Sequence, residues 1–341
     1  MTSQSTNTVV PVTVLTGFLG SGKTTLLQHL LRAPNMQRTV VLINEFGEIG
    51  LDHLLVERVD ESVVLLQSGC ICCSIRDDLS GALRSLLSRR ERAEIPAFDR
   101  IVIETTGLAD PAPILYTLAG EPVVRHHFRL ANVITTVDAI NAALHLSQNP
   151  EGLKQVAVAD RLVITKTDLA QPDQIDAVHA TLTRLNPSAQ VLNVADALVD
   201  VEQLLAEGQF ASGKKKASFV PLESAELREL TRHSADVTSL SLALDEPLDW
   251  TAFGIWLSML LNRHGNDVLR VKGILNVQGS AAPVFINAVQ HIVHPPQHLE
   301  RWPTDDRRSR IVFIVRGIDT RLLRRSLAVF SSNSVADVST V

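Results

Sequence analysis

The sequence predicts an α/β protein with a mainly parallel sheet, joined to a smaller C-terminal α+β domain with an antiparallel sheet. Three observations predict it. Aliphatic runs at residues 9–15, 39–43, 63–66, 101–103, 132–137, 162–164 and 190–194 alternate with helix-like or polar segments. Such unbroken apolar runs mark strands buried on both faces. Further on the pattern changes: Leu240, Leu242 and Leu244 alternate with small or polar residues, as in a sheet with one buried face. Finally, 341 residues exceed one average core and suit two domains. The expected limits are residues 1–207, a linker at 208–235 holding Gly213-Lys214-Lys215-Lys216 and Pro221, and residues 236–341.

The first strand runs into Gly17-Phe18-Leu19-Gly20-Ser21-Gly22-Lys23-Thr24, which satisfies GxxxxGK[ST] and is followed by a leucine-rich helix that should stop before Pro34. This is a phosphate-binding loop, so the first domain reads as a P-loop NTPase domain. Gly17, Gly20 and Gly22 let successive N–H groups turn inward at an anion, and the positive end of the helix reinforces that field. Lys23 should reach the β- and γ-phosphates and Thr24 should offer its hydroxyl to Mg²⁺. Ser21 and Thr25 are read with them as nucleotide-binding residues.

Open α/β sheets bind ligands at the carboxyl ends of their strands. That rule gathers four more segments onto the same rim. The strand at 39–43 leads into Asn44-Glu45-Phe46-Gly47-Glu48. The strand at 63–66 leads into Gly69-Cys70-Ile71-Cys72-Cys73, after which residues 77–89 have helical spacing. The strand at 101–103 ends in Glu104-Thr105-Thr106-Gly107, where Glu104 can hold Mg²⁺ or its water shell and the Gly107 N–H can sense the γ-phosphate. The strand at 162–164 ends in Thr165-Lys166-Thr167-Asp168, a TKxD form of the NKxD guanine reader. Asp168 can accept from guanine N1–H and its exocyclic amine, and Lys166 can lay its stem along the base. GTP is therefore the expected nucleotide.

All three cysteines lie between positions 70 and 73, which argues against a disulfide scaffold. Thiolates are soft ligands that select Zn²⁺, Cu⁺ or related ions, and Cys70, Cys72 and Cys73 can approach one ion if the loop bends at Ile71. A tetrahedral site wants more, from Glu48, His53, a water or a partner protein. A dithiol redox centre and simple buried small residues are the competing readings. His291, His294 and His298 are spaced three then four apart, but Pro295-Pro296 interrupts them, so their side chains should diverge.

With 45% hydrophobic and 20% charged residues the chain is an ordinary globular protein. Its 37 acidic against 32 basic residues give a net charge of -5, and no basic field recruits nucleic acid. No apolar run reaches spanning length and the start MTSQSTNT is not a signal peptide, so a cytoplasmic protein with no membrane partner is expected. In the second domain, residues 250–263 should form a helix, 268–277, 284–293 and 310–315 strands, and 321–330 a final helix.

Taken in order, GFLGSGKTT, NEFGEIG, GCICCS, IETTGLADPAP and TKTD resemble the CobW-type GTPases, a P-loop family of metal-handling proteins; LRVKGILNV, VQHIVHPP and RRSRIVFIVRG resemble that family's second domain. The resemblance implies slow GTP hydrolysis coupled to delivery of Zn²⁺, or Co²⁺ in cobalamin synthesis, to a client metalloprotein. By it Cys70, Cys72 and Cys73 match the metal-binding CxCC, Lys23 and Thr24 the phosphate and Mg²⁺ groups, Glu104 the Mg²⁺-side carboxylate and Asp168 the base reader. The chain lacks the His-rich segment many members carry. A homodimer is compatible with the reading. A small-molecule P-loop kinase and a redox-sensing regulatory GTPase are the alternatives; the kinase has no need of TKTD or the cysteines.

Overall fold

The aliphatic run ahead of the phosphate loop folds as β1 (Val10–Gly17), buried at every position but Pro11. The computed structural model describes residues 9–44, 74–194, 201–205 and 237–330. The strand at 63–66 expected from the sequence lies outside them. With β1 stand β2 (Thr39–Asn44), β3 (Arg100–Thr105), β4 (Phe128–Asp138), β5 (Arg161–Thr165) and β6 (Gln190–Asn193). They form one sheet in the order β2-β3-β1-β4-β5-β6, with all neighbours parallel. The chain thus leaves β1 for β2 on one side and later returns to β4 on the other, which makes the carboxyl end of β1 the crevice where such sheets take ligands.

Helices α1 (Lys23–Leu31), α2 (Ser74–Glu91), α3 (Ala112–Gly120), α4 (Pro122–His127), α5 (Ala142–Gln148), α6 (Pro150–Val158), α7 (Pro172–Leu185) and α8 (Val201–Leu205) accompany these strands. Helix α1 stops ahead of Pro34, which starts a single 3₁₀ turn. Its Leu26, Leu27 and Leu30 share one face and pack with Leu204 and Leu205 against Leu15, Val41, Ile43, Val102, Ile134 and Val163. Each such leucine contributes about 1.5–3 kcal/mol by leaving water. The alternate strand residues Val14, Leu42, Ile103, Val133 and Ile164 are equally buried. Both faces of the sheet are covered, which is why its strands read as unbroken apolar runs.

The second sheet comprises β7 (Val237–Leu244), β8 (Val268–Leu275), β9 (Val284–Val289), β10 (Ile292–Val293), β11 (Gln297–His298) and β12 (Ser309–Arg316). Its order is β10-β9-β8-β12-β7 with β11 on β9, and every pairing is antiparallel. Leu240, Leu242 and Leu244 face a core shared with Phe253, Trp256 and Leu257 of α9 (Trp250–His264) and with Leu323 and Leu327 of α10 (Thr320–Phe330). The expected single strand at 284–293 is in fact a hairpin. Gln290 turns at φ 51° and Ile292 pairs back on Val289; the two polar residues Gln290-His291 are the turn, and the apolar residues on either side of them read as one run in the sequence.

Contacts divide the described residues into one unit of residues 9–145, 159–179 and 190–205 and a second of 146–158, 180–189 and 237–330. Helix α6 therefore packs with the second unit: Ala157 meets Leu269, Val312 and Ile314. Its C-terminal carbonyls, which no further turn can satisfy, take side-chain donors. Asn186 Nδ2 donates to Val156 O at 2.8 Å and Ala157 O at 3.1 Å. The buried Arg270 guanidinium donates to Val158 O. Among the described residues no helix is long and apolar enough to cross a membrane.

Candidate functional site

The phosphate loop is held from below by hydroxyls at the ends of the neighbouring strands. Ser21 Oγ lies 2.6 Å from Thr136 Oγ1, which donates to Thr16 O at 3.3 Å. Thr165 Oγ1 donates to Ser21 O at 2.8 Å, and Ser21 N donates to Phe18 O at 3.1 Å. The hydroxyl of Ser21 thus anchors the loop. Gly17 sits at φ 144°, and a Cβ there would stand 2.3 Å from Thr136 Oγ1 and 2.5 Å from Thr136 O. No other residue fits. Gly20 forms the turn at φ 69°, and Gly22 is the N-cap of α1 with no side chain to offer. The first turn of α1 follows directly on the loop, and a helix N-terminus with no side-chain cap favours an anion there.

Lys23 is buried and folds back across the loop, its Nζ donating to Gly17 O at 3.0 Å and Phe18 O at 3.1 Å. Thr24 Oγ1 donates to Glu104 Oε1 at 2.9 Å. A hydroxyl and a buried carboxylate side by side at a phosphate loop are hard oxygen donors that suit Mg²⁺. Thr25 is exposed on α1. Beyond Glu104, Thr105 Oγ1 donates to Thr16 Oγ1 at 2.8 Å, and Gly107 lies against Leu19 of the loop. Thr106 Oγ1 is buried and has no hydrogen-bond partner among the described residues.

The second half of the rim is the TKTD turn. Besides Thr165 on the phosphate loop, Lys166 Nζ donates to Asp138 Oδ2 at 2.8 Å and Thr167 Oγ1 donates to Val194 O at 2.8 Å. Three of the four side chains are spent on holding the turn. The fourth, Asp168, is exposed and makes no hydrogen bond or ion pair among the described residues. Asp138 itself is buried at the end of β4. Burial raises its pKa, but hydrogen bonds from Lys166, Asn141 and the Ile140 N–H outweigh that, and the carboxyl is held below its ordinary value. The Phe18 ring packs on His145 at 4.5 Å between centroids.

Glu48, Cys70, Cys72, Cys73 and the alternative ligand His53 lie outside the described residues; Cys73 immediately precedes α2 in the sequence. The C-terminal histidines stand on different elements. His291 lies in the hairpin turn with Nε2 3.1 Å from Asn266 Oδ1, the His294 N–H donates to Asn287 O at 2.9 Å, and His298 is exposed on β11. Among the described residues no three His, Cys, Asp or Glu are grouped to hold a metal. Sequence reasoning missed Thr136 and Asp138. The run Thr135-Thr136-Val137-Asp138 closes an aliphatic strand with polar groups, the same signal that singled out Glu104.

A loop on β1 shaped for phosphates and a turn on β5 with one carboxylate facing solvent narrow the site to a nucleotide. The family model for the CobW/HypB/UreG nucleotide-binding domain matches residues 11–193, and that for the cobalamin synthesis protein CobW C-terminal domain matches residues 237–331. The chain belongs to the CobW family. Among curated proteins it is 34% identical to the zinc chaperone YjiA of Escherichia coli K12 over 305 residues, 89% of this chain and 93% of the relative. It is 30% identical to the zinc-regulated GTPase metalloprotein activator 1 of Schizosaccharomyces pombe, over 82% of this chain and 75% of that protein. Its fold matches the crystal structure of Zn(II)-bound YjiA GTPase from E. coli with a TM-score of 0.70 at 28% identity, covering 95% of this chain and 99% of that one. Both sheets of the CobW-family chain, parallel and antiparallel, were legible in the sequence.

Proposed function

We propose that this CobW-family chain is a GTP-dependent zinc chaperone, which binds Zn²⁺ as cargo through Cys70, Cys72 and Cys73 and uses GTP binding and slow hydrolysis to release it to a client metalloprotein. The observation that carries the nucleotide half is the 2.8 Å bond from Thr165 to Ser21 O. It joins the base-facing turn to the phosphate loop, so both ends of one nucleotide are read by a single rigid rim. Gly17, Gly20, Gly22 and Lys23 take the phosphates, Asp168 the guanine edge, and Lys166 the base face. Thr24 and Glu104 hold Mg²⁺, which neutralises charge on the β- and γ-phosphates. The zinc half rests on the CxCC spacing and on the zinc chaperones and zinc-regulated GTPase among the relatives. Residues 1–207 would carry the nucleotide and metal sites and residues 236–341 would help to hold the client.

Coupling is reciprocal: a nucleotide that tightens zinc binding must itself be tightened by zinc through the same factor. Zinc affinity is measured by chelator competition with Mg²⁺ and either GDP or a slowly hydrolysed GTP analogue. The expected result is a difference of about fivefold or more, in the range of ordinary coupling energies. Equal affinities would overturn the coupling. The Cys72→Ser/Cys73→Ser variant should lose tight zinc binding and keep its GDP affinity.

A further inference from the structure

Lys166 and Asp168 can read a base only if the turn that carries them is fixed. Lys166 is one of the non-glycine residues with positive φ, at 57°. That conformation costs of order 1 kcal/mol and persists only where surroundings impose it. A group on the neighbouring strand ties down the Lys166 side chain. Asp138 ends β4 beside Thr165, with which it is in register, and the next residue's N–H, on Ala139, donates to Thr165 O at 3.0 Å. Its carboxylate is 2% exposed and fully engaged: Oδ1 accepts from Ile140 N at 2.8 Å, and Oδ2 accepts from Asn141 Nδ2 at 2.8 Å and from Lys166 Nζ at 2.8 Å. The Asx turn made with Ile140 and Asn141 aims Oδ2 before the lysine arrives. A carboxylate so constrained is a fixed post, and Lys166, whose side chain is 36% exposed, is tied to it.

We infer that Asp138 is a positioning residue for base selection: by holding Lys166 Nζ it fixes the Lys166 stem as a wall for the purine and sets the turn that presents Asp168. The inference rests on the reading of Asp168 as the guanine reader. It predicts a penalty confined to the base end of the nucleotide. Phosphate binding depends on the Gly17 to Thr24 loop, which Asp138 does not touch among the described contacts.

The test measures affinities of the full chain for GDP, IDP, XDP and inorganic pyrophosphate, each with Mg²⁺, together with kcat and KM for GTP. Asp138→Asn keeps the size and the Ile140 contact but removes the charge facing Lys166. GDP affinity should fall about tenfold, the loss of one charge-assisted hydrogen bond. The preference for GDP over IDP should shrink, pyrophosphate affinity should hold, and KM should rise with kcat unchanged. Lys166→Met should give the same pattern, and the double variant should cost no more than the worse single one. Additive losses, an unchanged GDP to IDP ratio, or a parallel loss of pyrophosphate binding would each overturn the inference. Asp168→Asn separates it from the reading beneath it. That change should move preference from guanine to xanthine, which offers a carbonyl where guanine has an amine. If it does so while Asp138→Asn leaves base preference alone, only the role of Asp138 fails. If the unaltered chain shows no guanine preference, or Asp168→Asn does not change it, the base-reader assignment fails.

Discussion

Gly107 lies so close to Leu19 that a Cβ added to it would stand 2.6 Å from Leu19 N and 2.7 Å from Leu19 Cα. The Leu19 Cδ2 would stand 2.6 Å away as well, so both the main chain and the side chain of the second residue past Gly17 close on the segment after Glu104. A change of position in one must be felt by the other, because packed groups have no slack to absorb it. Gly107→Ala should therefore lower kcat for GTP about tenfold, roughly 1.4 kcal/mol of barrier, and change GDP affinity much less. Trimming Leu19 to Ala removes the Cδ2 clash but should not rescue it, since the clashes with Leu19 N and Cα remain. Steady-state hydrolysis and GDP titration of the single and double variants decide the matter; rescue by Leu19→Ala would show that only the side chain matters.

The pair Thr24 and Glu104, 2.9 Å apart, makes a prediction about metal dependence. Thr24→Ala removes a hydroxyl from the proposed Mg²⁺ set and Glu104→Gln removes its charge. Each should raise the Mg²⁺ concentration needed for half-maximal GTP hydrolysis by about ten- to a hundredfold, the usual worth of a hydrogen bond to a charged group. Thr24→Ser retains the oxygen and should stay near the unaltered value. A magnesium titration of activity checks it, and an unchanged midpoint in Thr24→Ala would remove this pair from the metal site.

The buried Arg270 carries a stability prediction for the second unit. It supplies a donor to the last carbonyl of α6, where a cation is also favoured by the helix dipole. Arg270→Met fills similar volume but leaves Val158 O without that donor, at a cost of about 1–3 kcal/mol. Asn186→Ala removes two donors and should cost a similar amount. The two act on adjacent carbonyls, so their losses should not add. Thermal unfolding of the singles and the double variant measures this.

Much of this molecule is written locally. The parallel sheet was legible because strands buried on both faces are continuous apolar runs, and the phosphate loop because glycines, Lys23 and Thr24 must fall in fixed order. What was not legible is long-range. Helices α3 to α7 were not assigned individually; three of them begin at a proline, Pro122, Pro150 and Pro172, a residue tolerated at the first helical position but equally at home in turns. The packing of α6 with residues of the antiparallel sheet depends on Asn186 and Arg270, separated by 84 positions, and no local pattern announces it. The hairpin at Gln290 was hidden because only two polar residues, Gln290 and His291, separate its apolar strands. Asp138 and Thr136 escaped because their roles exist only once β1, β4 and β5 lie side by side.

The loop leading into β12 is closed by a charge cluster that makes stability depend on pH in a defined direction. Asp306 accepts from the Arg308 N–H at 3.0 Å and from Arg308 Nε and Nη2, and it pairs with Arg310 as well. Hydrogen bonds from Arg308 come first among the causes that hold its pKa far below the usual carboxylate range, with burial opposing them. A carboxyl whose folded pKa is depressed stabilises fully above its unfolded pKa, about 3.9, and that contribution drains away as pH falls towards the folded value. Asp306→Asn should therefore lower the unfolding temperature at pH 7, by an amount corresponding to about 1 kcal/mol for a partly exposed network. The difference from the unaltered chain should stay constant from pH 7 to pH 5 and narrow below pH 4. Calorimetry across that series gives the answer; a gap that widened in acid would mean that the carboxylate is not what the arginines stabilise.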